Sequence, residues 1–462
     1  MQFISLKFLV FLLAALFLYY VTPDKVRKYI LLFVNFIFYY SFGVRNLVVL
    51  YGMIAVSYLL GKIIKNKQEK RVFIASVIIS LMPLLLFKYH PSLAEPIGIS
   101  FFTFKVISYL ADTYMGKIEG KYSFLDYCIY VSFFPTVTSG PIDRPEPFMK
   151  QIHMPKVFQE QVFMEGFLYM LWGYFQKMIV ADRLSGVVSV VYGNLERYQG
   201  FPTLVTTFLY TLQIYFDFAG YTYLAMGLAK MFGYTSMQNF KQPYFATSIR
   251  DFWQRWHISL STWLRDYVYI PLGGNRKGKT RKQINLLLTF LVSGIWHGTG
   301  WNFIIWGLLH GIYQVTGSAT IKVRNGIKEK LHIKNTKFEK VVQITVTFIL
   351  VNIAWIFFRS TDGGIIQSFS ILKSALSLSP ISFWWLAEAN ISKIECLYLL
   401  YAGLMVLFVD ILKEKKKDIL TWYFNRNLVI RFLVLYSLIG SIFLMGAYGP
   451  GYDASAFIYF QF

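Results

Sequence analysis

Charge is scarce in this chain: 15% of its 462 residues are charged, and acids are the rarer sign, 24 Asp and Glu against 46 Lys and Arg. A water-soluble domain carries about a quarter charged residues, so this sequence cannot cover a water-facing surface. Cysteine is nearly absent. Cys128 and Cys396, the two present, sit beside or inside apolar runs, which excludes a disulfide framework and a cysteine metal motif. The six histidines are scattered without an HExxH pair or other ligand spacing, and no GxSxG nucleophile elbow occurs. A zinc hydrolase and an α/β-hydrolase are both excluded. The first apolar run, from Phe3 to Thr22, lacks a basic n-region and a small-residue cleavage site, so it is expected to remain as a span.

What is abundant is apolar sequence. Hydrophobic residues make up 56% of the chain, and the mean hydropathy is +0.47. Runs near membrane-spanning length recur at 3–22, 29–43, 46–63, 72–89, 97–115, 124–140, 161–181, 201–233, 284–316, 341–358, 396–412 and 428–447. The expected fold is all-α and polytopic, one integral membrane domain over 1–462 with its core motifs at about 96–316. Between roughly 116 and 200 the pattern is less regular, and re-entrant segments fit there.

The net charge of +22 does not point to nucleic acid, because the Lys and Arg gather in short loops between apolar runs rather than on a soluble module. There they orient the spans and meet anionic lipid headgroups. Lys25, Arg27 and Lys28 follow the first run, and Lys62, Lys65, Lys67, Lys70 and Arg71 follow the third. This distribution puts 236–283, 322–340 and 413–418 on the cytoplasmic side and the N-terminus outside.

The run 284–316 has strongly basic flanks at both ends, yet its length is short of the roughly 40 helical residues that two full crossings need. A hairpin turning inside the membrane fits better, with Gly298-Thr299-Gly300 as its breaker because glycine tolerates the dihedrals of a turn. His297 stands immediately before that break. At ~1.5 Å per residue it lies roughly 22 Å from Lys282, deep in the hydrocarbon core. Ionisable groups at that depth are functional candidates. Burial favours the neutral imidazole, a competent base; a histidine bridging two helices is the structural alternative.

Other candidates carry weaker signals. Asp217 is an acid inside an apolar run, suited to a buried Arg partner or a polar tunnel. His257 lies in 249–267, where Trp253, Trp256, Leu260, Trp263, Leu264 and Tyr267 share one face of a helix expected to lie in the membrane interface. His310 falls late in the second leg of the hairpin, where packing or pore lining fits best. Gly273-Gly274-Asn275-Arg276-Lys277-Gly278 lacks the setting of a nucleotide-hydrolysing P-loop but could touch phosphates of lipid or coenzyme A. Arg255, Arg265, Asn275, Arg276, Lys277, Trp296, Trp301 and Asp217 are the candidates for donor or substrate contact.

These motifs resemble the membrane-bound O-acyltransferase family, in particular its bacterial branch that acylates extracytoplasmic polysaccharides. The resemblance rests on Pro96-Ile97-Gly98-Ile99-Ser100-Phe101-Phe102-Thr103-Phe104, Ser139-Gly140-Pro141-Ile142-Asp143-Arg144, the Asp217 segment and the block from Tyr244 to Gly278. It continues through Gly294-Ile295-Trp296-His297-Gly298, Gly307-Leu308-Leu309-His310-Gly311, Ala354-Trp355-Ile356-Phe357-Phe358-Arg359 and Phe457-Ile458-Tyr459-Phe460-Gln461-Phe462. It implies that His297 is the intramembrane catalytic histidine and His257 the second family histidine, in a structural or donor-access role. It also implies short intramembrane helices around a central tunnel. No bound cofactor is expected; acetyl-coenzyme A is the implied acyl donor, an extracytoplasmic glycan the acceptor, and an exported or anchored acyltransferase the partner, all at the bacterial cytoplasmic membrane. Tyr223 stands where the polysaccharide branch usually has Asp, and Ser139-Gly140-Pro141-Ile142-Asp143-Arg144 is also similar to the branch that moves D-alanine onto teichoic acids. D-alanyl transfer is therefore the alternative chemistry, and a glycan or anion transporter the alternative of another class.

Overall fold

The structure is a computed structural model that describes residues 1–90, 92–360, 363–389 and 391–448. Every regular element among them is helical. The Phe457–Phe462 motif lies outside the described residues. Among the described residues, five helices are long and apolar enough to cross a membrane: Val44–Lys67, Lys70–Tyr89, Lys337–Arg359, Lys393–Glu414 and Leu428–Met445. Their outward faces are greasy; Leu397, Leu400, Leu404, Phe432, Leu433, Phe443 and Leu444 are all exposed. A surface of that kind is tolerable only in lipid, and a helix satisfies its own backbone there. The chain is a polytopic, all-helical membrane protein.

The chain folds as two compact units. The first comprises residues 1–174 and 220–238 among those described. It contains α1 (Leu6–Val21), α2 (Asp24–Tyr40), α3 (Val44–Lys67), α4 (Lys70–Tyr89), α5 (Ile99–Tyr114), α6 (Phe124–Ser132), α7 (Pro145–Ile152) and α8 (Glu160–Tyr174). The run read as a span at 124–140 is instead a nine-residue helix followed by a buried turn. A Ser123–Asp126 capping box starts α6. Beyond Ser132 the backbone leaves the helix because side chains take over its hydrogen bonds. Asn35 Oδ1 accepts from the Phe134 N–H at 3.0 Å, and Lys105 Nζ donates to Thr136 Oγ1 at 2.8 Å and to the Tyr130 carbonyl at 3.3 Å. The Tyr130 hydroxyl donates to the Asp143 carbonyl at 2.9 Å. Irregular backbone at such depth persists only where protein supplies these partners.

The second unit comprises residues 175–219 and 239–448 among those described. It opens with a π-helical segment, Phe175–Ala181, continued by α9 (Asp182–Gly193). The first 19 residues of α10 (Phe201–Met231) belong to it, up to Ala219. Then come α11 (Ile249–Arg255), α12 (Ile258–Leu264), α13 (Gly278–His297), α14 (Trp301–Ala319), α15 (Ile321–Lys330), α16 (Lys337–Arg359), α17 (Gly364–Ala375), α18 (Trp384–Glu388), α19 (Lys393–Glu414), α20 (Ile419–Phe424) and α21 (Leu428–Met445). Side-chain caps start several of them: Thr336 accepts from Glu339 N, Ser392 forms a capping box with Glu395, and Asn427 accepts from Ile430 N.

Two expectations change here. The hairpin is present, but its legs are 20 and 19 residues long, because α13 begins within the basic flank and includes Lys279, Arg281 and Lys282. The shortage of length inferred from the apolar run alone therefore disappears. The segment 249–267 is not one interfacial helix. It breaks at His257, whose φ of +43° is left-handed, and the face carrying Trp253, Trp256, Leu260, Trp263 and Leu264 is buried in protein. An amphipathic stripe shows that a face is hidden without saying whether lipid or protein hides it.

Candidate functional site

His297 is the last residue of α13, and the break that follows is where the sequence placed it. Its physical reason differs. Gly298 (φ −175°) is extended backbone and Gly300 (φ −82°) is equally ordinary, so neither glycine is needed for its dihedrals. What they supply is space: a Cβ at Gly298 would collide with the Phe303 ring, and one at Gly300 with the Asn302 side chain. The same need holds the legs together. A Cβ at Gly294 would meet the Phe303 carbonyl, and one at Gly307 the Phe290 carbonyl. The two helix backbones thus cross at a separation that only glycine permits. Asn302 Nδ2 donates to the Phe357 carbonyl at 3.1 Å, tying the start of α14 to the end of α16.

This crossing sets His297, 4% exposed, among aromatic rings. Trp296, Trp306 and Phe358 have centroids 4.6, 4.8 and 5.1 Å away at steep interplanar angles of 66°, 86° and 76°. Edge-to-face contacts of this kind fix a ring's plane and contribute about 0.5–1.5 kcal/mol each. His257 is 1% exposed, with Phe218 at 4.6 Å and Trp296 at 6.4 Å. Trp296 therefore neighbours both imidazoles. The expectation of a partly wet His257 is corrected: burial pushes its imidazole down to about 3, so it is neutral throughout the physiological range.

A third histidine completes the cluster. His310 is fully buried, and the Trp253 indole N–H donates to its Nδ1 at 3.2 Å. That bond places the imidazole proton on Nε2 and ties α11 to α14. Trp306 lies 5.2 Å from His310 and 5.9 Å from Trp355, and Trp256 lies 4.9 Å from Trp355. The indoles of Trp253, Trp256, Trp296, Trp306 and Trp355, with Phe358, form the wall in which three imidazoles are set. Trp306, Trp355 and Phe358 were not among the candidates, although both parent segments stood out in the sequence. Hydropathy identifies such residues as apolar without saying which rings meet.

Other candidates are placed differently. Asp217 is buried with Lys177 and Asp182: Lys177 Nζ lies 2.5 Å from Asp217 Oδ1 and 2.7 Å from Asp182 Oδ1. Its partner is thus a lysine of the π-helical segment, a helix irregularity that re-aims side chains. Arg255 is engaged by Asp251 and Glu414, each at 2.7 Å, and Arg265 by the adjacent Asp266. Trp301 is 71% exposed while Trp296 is buried, so the two tryptophans flanking the hairpin turn do not share a surrounding. In the basic loop, Gly273 and Gly274 take positive φ, Asn285 Nδ2 donates to the Gly274 carbonyl at 3.0 Å, and the Tyr269 hydroxyl donates to Asn275 Oδ1 at 2.5 Å. Arg276 and Lys277 project exposed from that anchored turn. No group of three His, Cys, Asp or Glu side chains among the described residues is arranged to hold a metal ion.

Comparison with known proteins gives this cluster its context. The chain is 36% identical to a probable alginate O-acetylase of Pseudomonas syringae pathovar tomato, over 75% of this chain and 69% of that protein. It is 32% identical to a peptidoglycan O-acetyltransferase of Helicobacter pylori, over 76% of this chain and 74% of that one. A teichoic acid D-alanyltransferase of Streptococcus thermophilus is 29% identical over 63% of this chain and 76% of its own length. The family model of the membrane-bound O-acyltransferases matches residues 31–360, a stretch that includes all three buried histidines. The chain therefore belongs to the membrane-bound O-acyltransferase family.

Proposed function

We propose that this protein transfers an acetyl group from cytoplasmic acetyl-coenzyme A to a hydroxyl of an extracytoplasmic polysaccharide, or of a partner acyltransferase that completes the delivery, at the bacterial cytoplasmic membrane. The observation that carries this reading is His297, buried at the tip of a hairpin leg and held edge-on by three aromatic rings. In the proposed step a neutral His297 nitrogen takes the proton of the acceptor hydroxyl as its oxygen attacks the thioester carbonyl. The C–S bond breaks, an O-ester forms, and the thiolate leaves with the proton held by His297 as free coenzyme A. The aromatic wall excludes water that would otherwise hydrolyse the thioester. His257, neutral and buried against Trp296, serves as a positioning residue beside the same indole. The exposed Arg276 and Lys277 suit the donor's phosphates.

Acetyl is favoured over D-alanyl because the O-acetylases named above are similar over more of the chain and at higher identity than the D-alanyltransferase. The test is the release of free coenzyme A from labelled acetyl-coenzyme A by purified protein with a polysaccharide acceptor. We expect His297→Ala to fold normally and lose about 10²–10⁴-fold in rate. A folded His297→Ala protein with full activity refutes the assignment, and substrate flux through proteoliposomes without thioester consumption favours a transporter.

A further inference from the structure

A second polar feature lies within the first unit, remote in sequence from the histidines. The end of α1, the start of α2 and the loop after α7 form a cavity of about 270 Å³, lined by Asp24, Lys25, Arg27, Lys28, His153 and Lys156 with the Tyr19 and Tyr234 rings. Four basic side chains and one carboxylate, Asp24, line it, and one oxygen of that carboxylate is already engaged. Asp24 Oδ1 accepts from the Lys156 backbone N–H at 2.9 Å and lies 3.6 Å from Arg27 Nη1. His153 is occupied by Asp126 at 3.2 Å.

The remaining cations make no side-chain ion pair among the described residues. Lys156 is nearly buried; its ammonium donates to the Gly233 carbonyl at 2.9 Å and sits 4.1 Å from the Tyr234 ring centroid. Its ammonium has no carboxylate ion pair among the described residues, and burial pushes it down to about 8 against the opposing charge of Asp24. Lys28 lies over the Tyr29 ring and Lys25 is exposed, neither with an ion-pair partner among the described residues. Arg27 is fixed by the Tyr19, Thr22 and Lys156 carbonyls. A pocket with a surplus of positive charge suits a strongly accepting anion, that is, a phosphate.

The rim identifies which phosphate. Met154, which lines the cavity, is exposed, as are Val21, Val26, Val157 and Phe158 in the segments that flank the lining residues in sequence, and Phe158 packs edge-to-face on Tyr20 at 5.2 Å. Lys25, Arg27 and Lys28 also belong to the loop that the charge distribution assigns to the cytoplasmic face. Apolar side chains beside a cationic cleft match a molecule with a phosphate at one end and hydrocarbon at the other, not a wholly soluble one.

We propose that this cavity binds the phosphate of an anionic phospholipid of the cytoplasmic leaflet, with Lys25, Lys28 and Lys156 as its cationic ligands. The site is separate from acyl transfer and does not rest on His297. It anchors the junction of α1, α2 and the 153–158 loop to the membrane surface.

The test is native mass spectrometry of the full chain released from nanodiscs containing equal phosphatidylglycerol and phosphatidylcholine, with Lys25→Gln/Lys28→Gln as the site variant. Lys415→Gln/Lys417→Gln, which removes the same charge elsewhere, is the control. The wild type is expected to retain one phosphatidylglycerol per chain in preference to phosphatidylcholine, and the site variant to lose that preference by roughly 30-fold. Lys25→Arg/Lys28→Arg should keep it, which shows that folding is intact. Equal retention by the site variant overturns the proposal, as does equal loss in the control pair. Displacement of the lipid by millimolar coenzyme A also overturns it, because the phosphate would then come from the soluble donor.

Discussion

Lys177→Met is the perturbation that tests the buried charge cluster most directly. Lys177 lies 2.7 Å from Asp182 and 2.5 Å from Asp217, and its side chain is 4% exposed while both carboxylates are 2% exposed. Methionine keeps the length of the side chain and removes the charge, so the expected cost is electrostatic rather than a cavity. Two carboxylates are then buried near one another without their cation. Removing one partner of a buried ion pair costs about 3–5 kcal/mol, mostly the desolvation of the charge left behind. With two acids depending on one lysine, the upper half of that range is expected. Reversible unfolding in mixed detergent micelles, followed by loss of helical signal, reads the difference. The companion variant, Lys177→Met/Asp182→Asn/Asp217→Asn, removes all three charges and should recover most of the lost stability. If the single variant unfolds within about 1 kcal/mol of wild type, or the triple is no more stable than the single, the charges are not the source of the cluster's stability.

Three further outcomes follow from the same structure. Trp253→Phe deletes the indole donor to His310 Nδ1 and should cost about 1–3 kcal/mol in the same unfolding measurement, because a buried acceptor loses its partner. Gly307→Val places side-chain atoms against the Phe290 carbonyl; we expect a loss of about 1–3 kcal/mol and a matching fall in folded yield by detergent size-exclusion chromatography. His257 gives a pH signature. Its folded value of about 3 lies below its ordinary 6.5, so the unfolded chain binds the proton more readily. Its neutral form supports stability fully above about pH 6.5, and that support falls by about 1.4 kcal/mol per unit as pH drops toward 3. His257→Phe should flatten the acid limb of the unfolding free energy between pH 4 and 6.5, and an unchanged limb would assign it to other groups.

The sequence alone determined the solvent of this protein, the helical class and the position of the hairpin break. Each follows from a local rule: in lipid a segment must satisfy its own backbone, so an apolar run of sufficient length reads as a helix unless, as at 124–140, protein side chains supply its partners. His297 stood out in the sequence as a polar ring in an apolar run, and the structure buries it. Tertiary structure decided the pairings. Asp217 announced an expense without naming Lys177, 40 positions earlier, as what offsets it. The stripe from Trp253 to Leu264 announced a hidden face, but the break at His257 and the cover from α14 and α16 came from long-range packing. Gly298 and Gly300 were read as freedom of dihedral and proved to be room for the Phe303 and Asn302 side chains. A sequence records what each residue costs to bury, and only the folded chain shows which neighbour meets that cost.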